Sequence, residues 1–324
     1  MAAGQRARVL SVAAAGVLAA VLLYFSLRGI DWRQVAQIIG GAKPWDLALT
    51  AGIGTLTLFL RACRWRILLN AEGRVSVPTA FWATAAGYFG NNFLPARAGE
   101  LVRSFMISSR GGLDSAYVLA TALAERAADA VALVVISAVV LLTLPDPPGW
   151  LSSAVRPFAA LALIGALGII VLPLLGSIGR TAIGRAPVPH SWRPRLIEMM
   201  EHALRGLRAF HDARRFSGFL TLTVVIWGLD AVGSVIAAGA LGLRMPFAAA
   251  FLLIASLGLG SALPSTPGYV GIYQFVAVTV LGPFGFSRSD AIAYILVAQA
   301  LNYVVIGFWG SVGILRYRRA RRVA

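Results

Sequence analysis

The chain has 324 residues, 58% of them hydrophobic and only 13% charged, with a formal net charge of +16. Its mean hydropathy of +0.78 is more than a soluble domain can bury, which excludes a water-soluble protein and leaves a polytopic membrane protein. The basic residues lie between and beside apolar runs, the pattern of loops facing an anionic leaflet, so a nucleic-acid partner is not expected.

Val9 to Leu27 is an apolar run of spanning length behind a short basic start, and it reads as a first span with the N-terminus inside. Asp31 to Ile39 places Trp32, Val35, Ile38 and Ile39 at helical spacing behind an aspartate cap, which predicts a short interfacial helix. Trp45 to Leu69 is the second span. Arg61, Arg64, Arg66 and Arg74 crowd its end and read as the cytoplasmic side. Pro78 to Phe93 is apolar but short, with Gly87, Gly90, Asn91 and Asn92 near its end, and a Pro/Gly break follows before Phe105, Met106 and Ile107. Two short polar-tipped halves around such a break predict a re-entrant hairpin, whose broken backbone must line a cavity or be buried in protein.

Ala116 to Leu144 is the third span and carries Glu125, Arg126 and Asp129. The connector Pro145 to Trp150 has no basic residue and is placed outside. Ala154 to Leu175 is the fourth span. Gly176 to Arg215 holds eight arginines and is expected in the cytoplasm. Within it Leu196, Met200, Leu204 and Leu207 form an apolar stripe, which predicts an amphipathic helix on the inner leaflet. Phe216 to Leu241 is the fifth span, with Asp230 near its middle. Pro246 to Leu263 and Gly268 to Gly282 form a second hairpin. Asp290 to Leu315 is the sixth span, with Gln299, Asn302 and Tyr303 near its middle, and the basic tail Arg316 to Arg322 lies inside.

LPARAGE at Leu94 to Glu100 returns as LPSTPGY at Leu263 to Tyr269, so that Leu, Pro and Gly recur 169 positions apart (Leu94/Leu263, Pro95/Pro264, Gly99/Gly268). Each half then holds span, span, hairpin, span, and the loop charges give the halves opposite orientations. The expected fold is an all-α polytopic membrane protein with an inverted-topology repeat, each half with three spanning helices and one re-entrant helical hairpin. Residues 1–324 form a single integral-membrane domain, with repeat halves 1–145 and 150–324.

Each charge at the centre of a span costs about 2.5–3.5 kcal/mol on insertion scales, so Glu125, Arg126 and Asp129 need a reason. Glu125 and Asp129 share a face, and Arg126 can pair with Asp129. One reading is an ion pair that seals the helix into the bundle. The other is a polar cavity where Arg126 meets a substrate phosphate while a carboxylate takes a proton or balances charge. Arg97 and Arg103 flank the first break, where a guanidinium fork and free backbone N–H groups suit a phosphate; they also read as ordinary positive-inside arginines, with Glu100 neutralising them. Asn91 and Asn92 satisfy the broken backbone or touch a head group. Asp230 has no basic residue within a turn or two and is expected to act on substrate or to pair with Arg97 or Arg126 across the bundle. Pro264, Pro267 and Gly268 read first as helix breakers. Cys63 is the only cysteine, so no internal disulfide forms, and His190, His202 and His211 match no metal spacing. No metal or cofactor is expected, and no catalytic or nucleotide-binding motif is present.

YFGNNFLPARAGELVRSFMI, ATALAERAADAVALVV, LPSTPGYVGIYQF and FGFSRSDAIAYILVAQAL together resemble the lysylphosphatidylglycerol synthase transmembrane region, or flippase-like domain family, over nearly the whole chain. In that family's best-known members the membrane domain flips an aminoacylated phospholipid made by a separate soluble domain. With the sequence ending at Ala324, the synthase domain is expected to be missing, and the resemblance implies translocation rather than synthesis. By motif position it carries over Asn91, Asn92, Arg97, Glu100, Glu125, Arg126 and Asp129. The expected function is a lipid translocase of flippase or scramblase type, moving a phosphate-headed or otherwise polar lipid through a cavity between the hairpins. Residues of that cavity also include Arg103, Asp230, Pro264, Gly268, Tyr273, Gln299 and Asn302. The alternatives are an intramembrane head-group-modifying enzyme, with Glu125 and Asp129 as acid and base, and a non-transporting subunit of a lipid or glycolipid synthesis complex. Expected partners are membrane lipids, anionic or phosphate-headed, and a lipid-synthesis enzyme. The expected location is the cytoplasmic (inner) membrane, with both termini in the cytoplasm.

Overall fold

The computed structural model describes residues 16–94, 98–143, 149–171, 176–185, 189, 191–261 and 267–323. Among these residues the protein is all helical, with no strand. The helices are α1 (Gly16–Leu27), α2 (Trp32–Gly40), α3 (Pro44–Leu69), α4 (Val77–Phe93), α5 (Gly99–Gly111), α6 (Ser115–Thr143), α7 (Gly149–Val171), α8 (Gly176–Arg185), α9 (Arg193–Arg208), α10 (Ala213–Ala240), α11 (Phe247–Gly260), α12 (Ile272–Leu281) and α13 (Arg288–Val323). The protein is a multi-pass membrane protein: α3, α6, α10 and α13 are each long and apolar enough to cross a bilayer. Val9 to Ala15 and the connector residues 144–148 lie outside the described residues.

Local chemistry sets where these helices begin. The Asp31 carboxylate accepts from the backbone N–H of Arg33 at 2.9 Å and of Gln34 at 3.1 Å, opening α2 as expected. Asp212 does the same for Arg215 at 2.8 Å at the start of α10. α3 opens with Pro44, carries Asp46 in its first turn and Arg66 in its last, each on the favourable end of the helix dipole. Gly112, at φ 62°, ends α5 in the left-handed conformation that glycine adopts without strain.

The helix pairs come in matching sets. α3 packs on α10. α4 packs on α5 and α13, and α11 packs on α12 and α6. α3 meets α4 as α10 meets α11, and α5 meets α6 as α12 meets α13. Exchanging α3–α6 for α10–α13 therefore maps the α3–α10 pair onto itself and each of the other pairs onto another of them. α2 on α13 matches α9 on α6 in the same way. Small residues let the backbones approach, with Ala62 of α3 and Ala231 of α10 both fully buried.

Two of the expected short helices gain protein contacts here. α9 is amphipathic, and part of its apolar side is covered by protein. Leu204 is buried, Leu207 packs on a cluster of Leu68, Ala124, Phe210 and Phe219, and Gly206 sits so close to α6 that an added Cβ would lie 3.0 Å from the Ala120 backbone. α2 is tied to the start of α13: Ser289 Oγ accepts from Asp31 N–H at 3.1 Å, and Gln34 Nε2 donates to Asp290 at 3.2 Å.

Candidate functional site: an ion-pair network beside an amphipathic cavity

α3 carries Arg61 and Arg64 into the bundle three residues apart, so both project to one side, against α6 and α10. Arg64 is 0% exposed. Its guanidinium reaches Glu125 at 3.0 Å and Asp129 at 2.7 Å, both on α6, and donates to the Thr223 hydroxyl of α10 at 3.1 Å. α5 brings Arg103, which bonds Glu100 at 2.5 Å and Glu125 at 2.7 Å and lies over the Trp65 ring at 4.3 Å. Arg61 pairs with Asp230 of α10 at 2.5 Å. Among the described residues, Arg61, Arg64, Arg103 and Arg126 thus face Glu100, Glu125, Asp129 and Asp230, four charges of each sign. Burying ions is tolerable only with such pairing, because an isolated charge would lose its hydration without compensation.

Arg126 differs from its neighbours. It is 35% exposed, and its contacts are looser: 3.5 Å to Asp129 and 3.9 Å to Glu125. Its Nε lies 3.2 Å from Glu100 without hydrogen-bond alignment, and one amino group donates to the Tyr88 hydroxyl at 3.0 Å. A guanidinium held at its edges with one side open is able to accept a bidentate anion.

That open side faces a cavity of about 380 Å³ at the level of the spans, lined by residues of α3, α4, α6, α10, α11, α12 and α13. One part of its wall is apolar, with Ile53, Leu58, Ile254, Leu257, Val305 and Ile306. The rest is polar: Arg61, Arg126 and Asp230 carry the charges, and Asn91, Asn92, Gln299 and Asn302 the amides.

Asn91 does the backbone work proposed for it. Its Oδ1 accepts from Gly99 N–H at 3.0 Å, a free donor at the start of α5, and its Nδ2 donates to Glu100 at 3.2 Å. Asn92 donates to the Tyr88 carbonyl at 2.9 Å and accepts from Asn302 at 3.4 Å, which joins α4 to α13. The second break is held by neutral groups. Gln299 and Tyr303 donate to the Gly268 carbonyl at 3.0 and 2.5 Å, and Gln274 accepts from Gly271 N–H at 2.8 Å. Tyr273 lines the cavity with its ring stacked on Tyr269.

The structure gathers Asn91, Asn92, Arg126, Asp230, Tyr273, Gln299 and Asn302 around the cavity, and sets Glu100, Arg103, Glu125 and Asp129 in the network behind it. Gly268 contributes its carbonyl to the frame. Arg97 and Pro264 lie outside the described residues. Asp230 is neither alone nor paired with Arg126; its partner is Arg61. Arg61 and Arg64 in turn are not side markers at a helix end but buried counter-ions, since the packing of α3 on α10 turns them toward the carboxylates of α6 and α10. Asp129 belongs chiefly to Arg64 rather than to Arg126. Arg61, Arg64, Tyr88 and Trp227 were not among the site residues expected from sequence. The available signal was three carboxylates against one arginine in apolar spans, which required further arginines at the same depth. No group of residues able to hold a metal occurs among the described residues.

The family model of the lysylphosphatidylglycerol synthase TM region matches residues 10–310. A glycosyltransferase AglD of Haloferax volcanii is 26% identical over 92% of this chain and 53% of its own length. The chain thus spans about half of that relative. A UPF0104 membrane protein of Methanothermobacter thermautotrophicus is 24% identical over 97% of this chain and 94% of its own length. No solved structure matches significantly.

Proposed function

Because the chain belongs to the family of the lysylphosphatidylglycerol synthase TM region, we propose that it moves a phosphate-headed lipid between leaflets. The observation that carries this is the cavity: its lining divides between charged groups, the partly exposed Arg126 and the Arg61–Asp230 pair, and branched aliphatic side chains. A lipid has the same division. Its phosphate meets the guanidinium groups while its tail leaves along the apolar wall. The matching helix pairs support the division into halves 1–145 and 150–324, an inverted repeat whose alternation carries the head group across. The two Pro/Gly breaks are read as the tips of re-entrant hairpins, and both termini as cytoplasmic.

The role of Glu125 and Asp129 as an acid and base pair is disfavoured, since Arg64 and Arg103 already occupy their oxygens. A second reading rests on the name of the Haloferax relative. As a glycosyltransferase about twice this chain's aligned length, it suggests a membrane unit that serves a glycosyltransferase without transporting. Purified protein in liposomes with a fluorescent phosphate-headed lipid separates the two readings. Leaflet exchange that depends on Arg126 supports translocation. Exchange no faster than in protein-free liposomes, across a panel of such lipids, removes it.

A further inference from the structure

The charges around the cavity are balanced. Arg126 has carboxylate contacts with Glu100, Glu125 and Asp129, and Arg61 has Asp230, so an anion that enters meets no unneutralised cation there. What can hold it is a set of hydrogen-bond donors aimed at one point. Several hydroxyls on the cavity wall are already spent. Thr50, Thr57, Ser234 and Ser261 each give their proton to a backbone carbonyl of their own helix, and the Tyr294 hydroxyl is bonded to Ser234.

Tyr88 has the opposite arrangement. Its hydroxyl oxygen accepts from an Arg126 amino group at 3.0 Å. A lone pair is thereby turned toward Arg126, and the hydroxyl's own proton points elsewhere. That O–H has no acceptor among the described residues, and Tyr88 is partly exposed and lines the cavity. A donor at membrane depth is costly unless water or a ligand takes it up. The bond from the guanidinium also polarises the O–H and strengthens it as a donor. The side chain is held in place by its neighbours. Arg126 Cζ lies 5.2 Å and Arg61 Cζ 5.9 Å from the ring centroid, within cation–π range. Arg61 is itself committed, bonded to Asp230 and lying over the Trp227 ring at 4.8 Å. The donors left to converge are the open side of Arg126 and the Tyr88 O–H. The 3.0 Å bond joins them, so an oxygen placed against one is within reach of the other.

We infer that Tyr88 is a ligand-binding residue of this cavity, whose O–H donates to an oxygen of a phosphate group held by Arg126. This rests on the phosphate-headed ligand of the reading above and adds a second donor to it. Tyr88 then has two tasks: its oxygen steadies the guanidinium and its proton goes to the anion. A head group without an acceptor at that point leaves the O–H unmet, so the pair also selects for phosphate.

The test uses the full chain in a maltoside detergent, which brings no phosphate of its own, with binding read from the ligand-dependent rise in unfolding temperature. The probes are short-chain phosphatidate, the matching diacylglycerol and inorganic phosphate. Phosphatidate is expected to raise the unfolding temperature, and diacylglycerol, with the same tails, to leave it unchanged. Tyr88→Phe keeps the ring beside both guanidinium groups and removes only the hydroxyl. It is expected to bind phosphatidate about tenfold more weakly, the equivalent of one hydrogen bond to a charged group, with the ligand-free unfolding temperature unchanged. Replacement of Tyr88 by para-aminophenylalanine returns a donor to the same place while accepting poorly from Arg126, and it is expected to recover most of that loss. Equal affinity in Tyr88→Phe and the native chain overturns this inference and leaves the translocase reading standing. An amine variant that binds no better than Tyr88→Phe, whatever their ligand-free stabilities, also overturns it and reduces Tyr88 to a prop for Arg126. Inorganic phosphate binding as tightly as phosphatidate overturns the assignment to a lipid head group. Phosphatidate raising the unfolding temperature no more than diacylglycerol sinks the phosphate-headed reading, and this inference with it.

Discussion

Arg64 and Arg126 are both arginines among carboxylates, yet their surroundings give them different work. Arg64 is fully enclosed and neutralises Glu125 and Asp129, so Arg64→Ala leaves two buried carboxylates short of a cation. The expected cost is about 3–5 kcal/mol, seen as lost expression or a lower unfolding temperature in detergent. Arg126 is 35% exposed with long contacts, so Arg126→Ala is expected to keep the fold within about 1 kcal/mol while ending lipid exchange. Arg126→Lys restores exchange poorly, because an ammonium lacks the planar fork. Adding Asp129→Ala to Arg126→Ala is expected to lower stability further, since Asp129 serves Arg64 at 2.7 Å. Full recovery of both stability and exchange in that double variant would reduce Arg126 to a structural partner.

Arg61 and Asp230 are 169 positions apart, the same shift that relates the two LP…G motifs, and they are each other's partners. In a pair of helices related by a two-fold axis, residues at equivalent register meet only on that axis. The charge pair therefore marks the proposed axis. The exchange Arg61→Asp with Asp230→Arg is expected to recover much of what either single variant loses, with a coupling of about 0.5–3 kcal/mol in a double-mutant cycle. Strict additivity of the two single effects would show that the contact carries no energy.

At the scale of elements, the two breaks are built from close approach. A Cβ at Gly99 would collide with the Gly87 carbonyl and the Asn91 side chain, while Gly268 holds φ 75° under Tyr303. Gly99→Ala is expected to push α5 off α4 and destabilise by about 1–3 kcal/mol. Asn91→Ala loses one cap bond and about 1 kcal/mol. Chemical denaturation in mixed micelles ranks the two, and an Asn91→Ala effect larger than that of Gly99→Ala would contradict the packing account. The helix ends in this part of the chain were legible, because capping and Pro/Gly breaks act within one turn. The covering of α9 by α6 was not. An apolar stripe of Leu196, Met200, Leu204 and Leu207 has the same pattern whether lipid or protein covers it.

For the whole molecule, orientation is the open quantity, and it is proposed from loop charge. In a Cys63→Ser background, Arg185→Cys and Arg319→Cys are both expected to react with a membrane-impermeant thiol reagent only after the cytoplasmic face is opened. Labelling of Arg185→Cys in intact cells would invert the proposed topology. Arg61 and Arg64 no longer count toward that charge asymmetry, since both are paired inside the bundle. Arg66, Arg74 and the arginines of Gly176 to Arg215 still do.

Sequence alone determined that this is an all-helical membrane protein, where most helices start and stop, and that two motifs recur at one fixed spacing. These follow from composition, from periodicity along one helix and from caps a few residues long. Only the tertiary structure decided which charge neutralises which. Arg64 to Glu125 and Arg61 to Asp230 are pairs between helices, set by how far each helix is rotated and at what depth it packs. No local pattern encodes that rotation, because an arginine at the end of an apolar run has the same neighbours in sequence whether it faces water or a buried carboxylate.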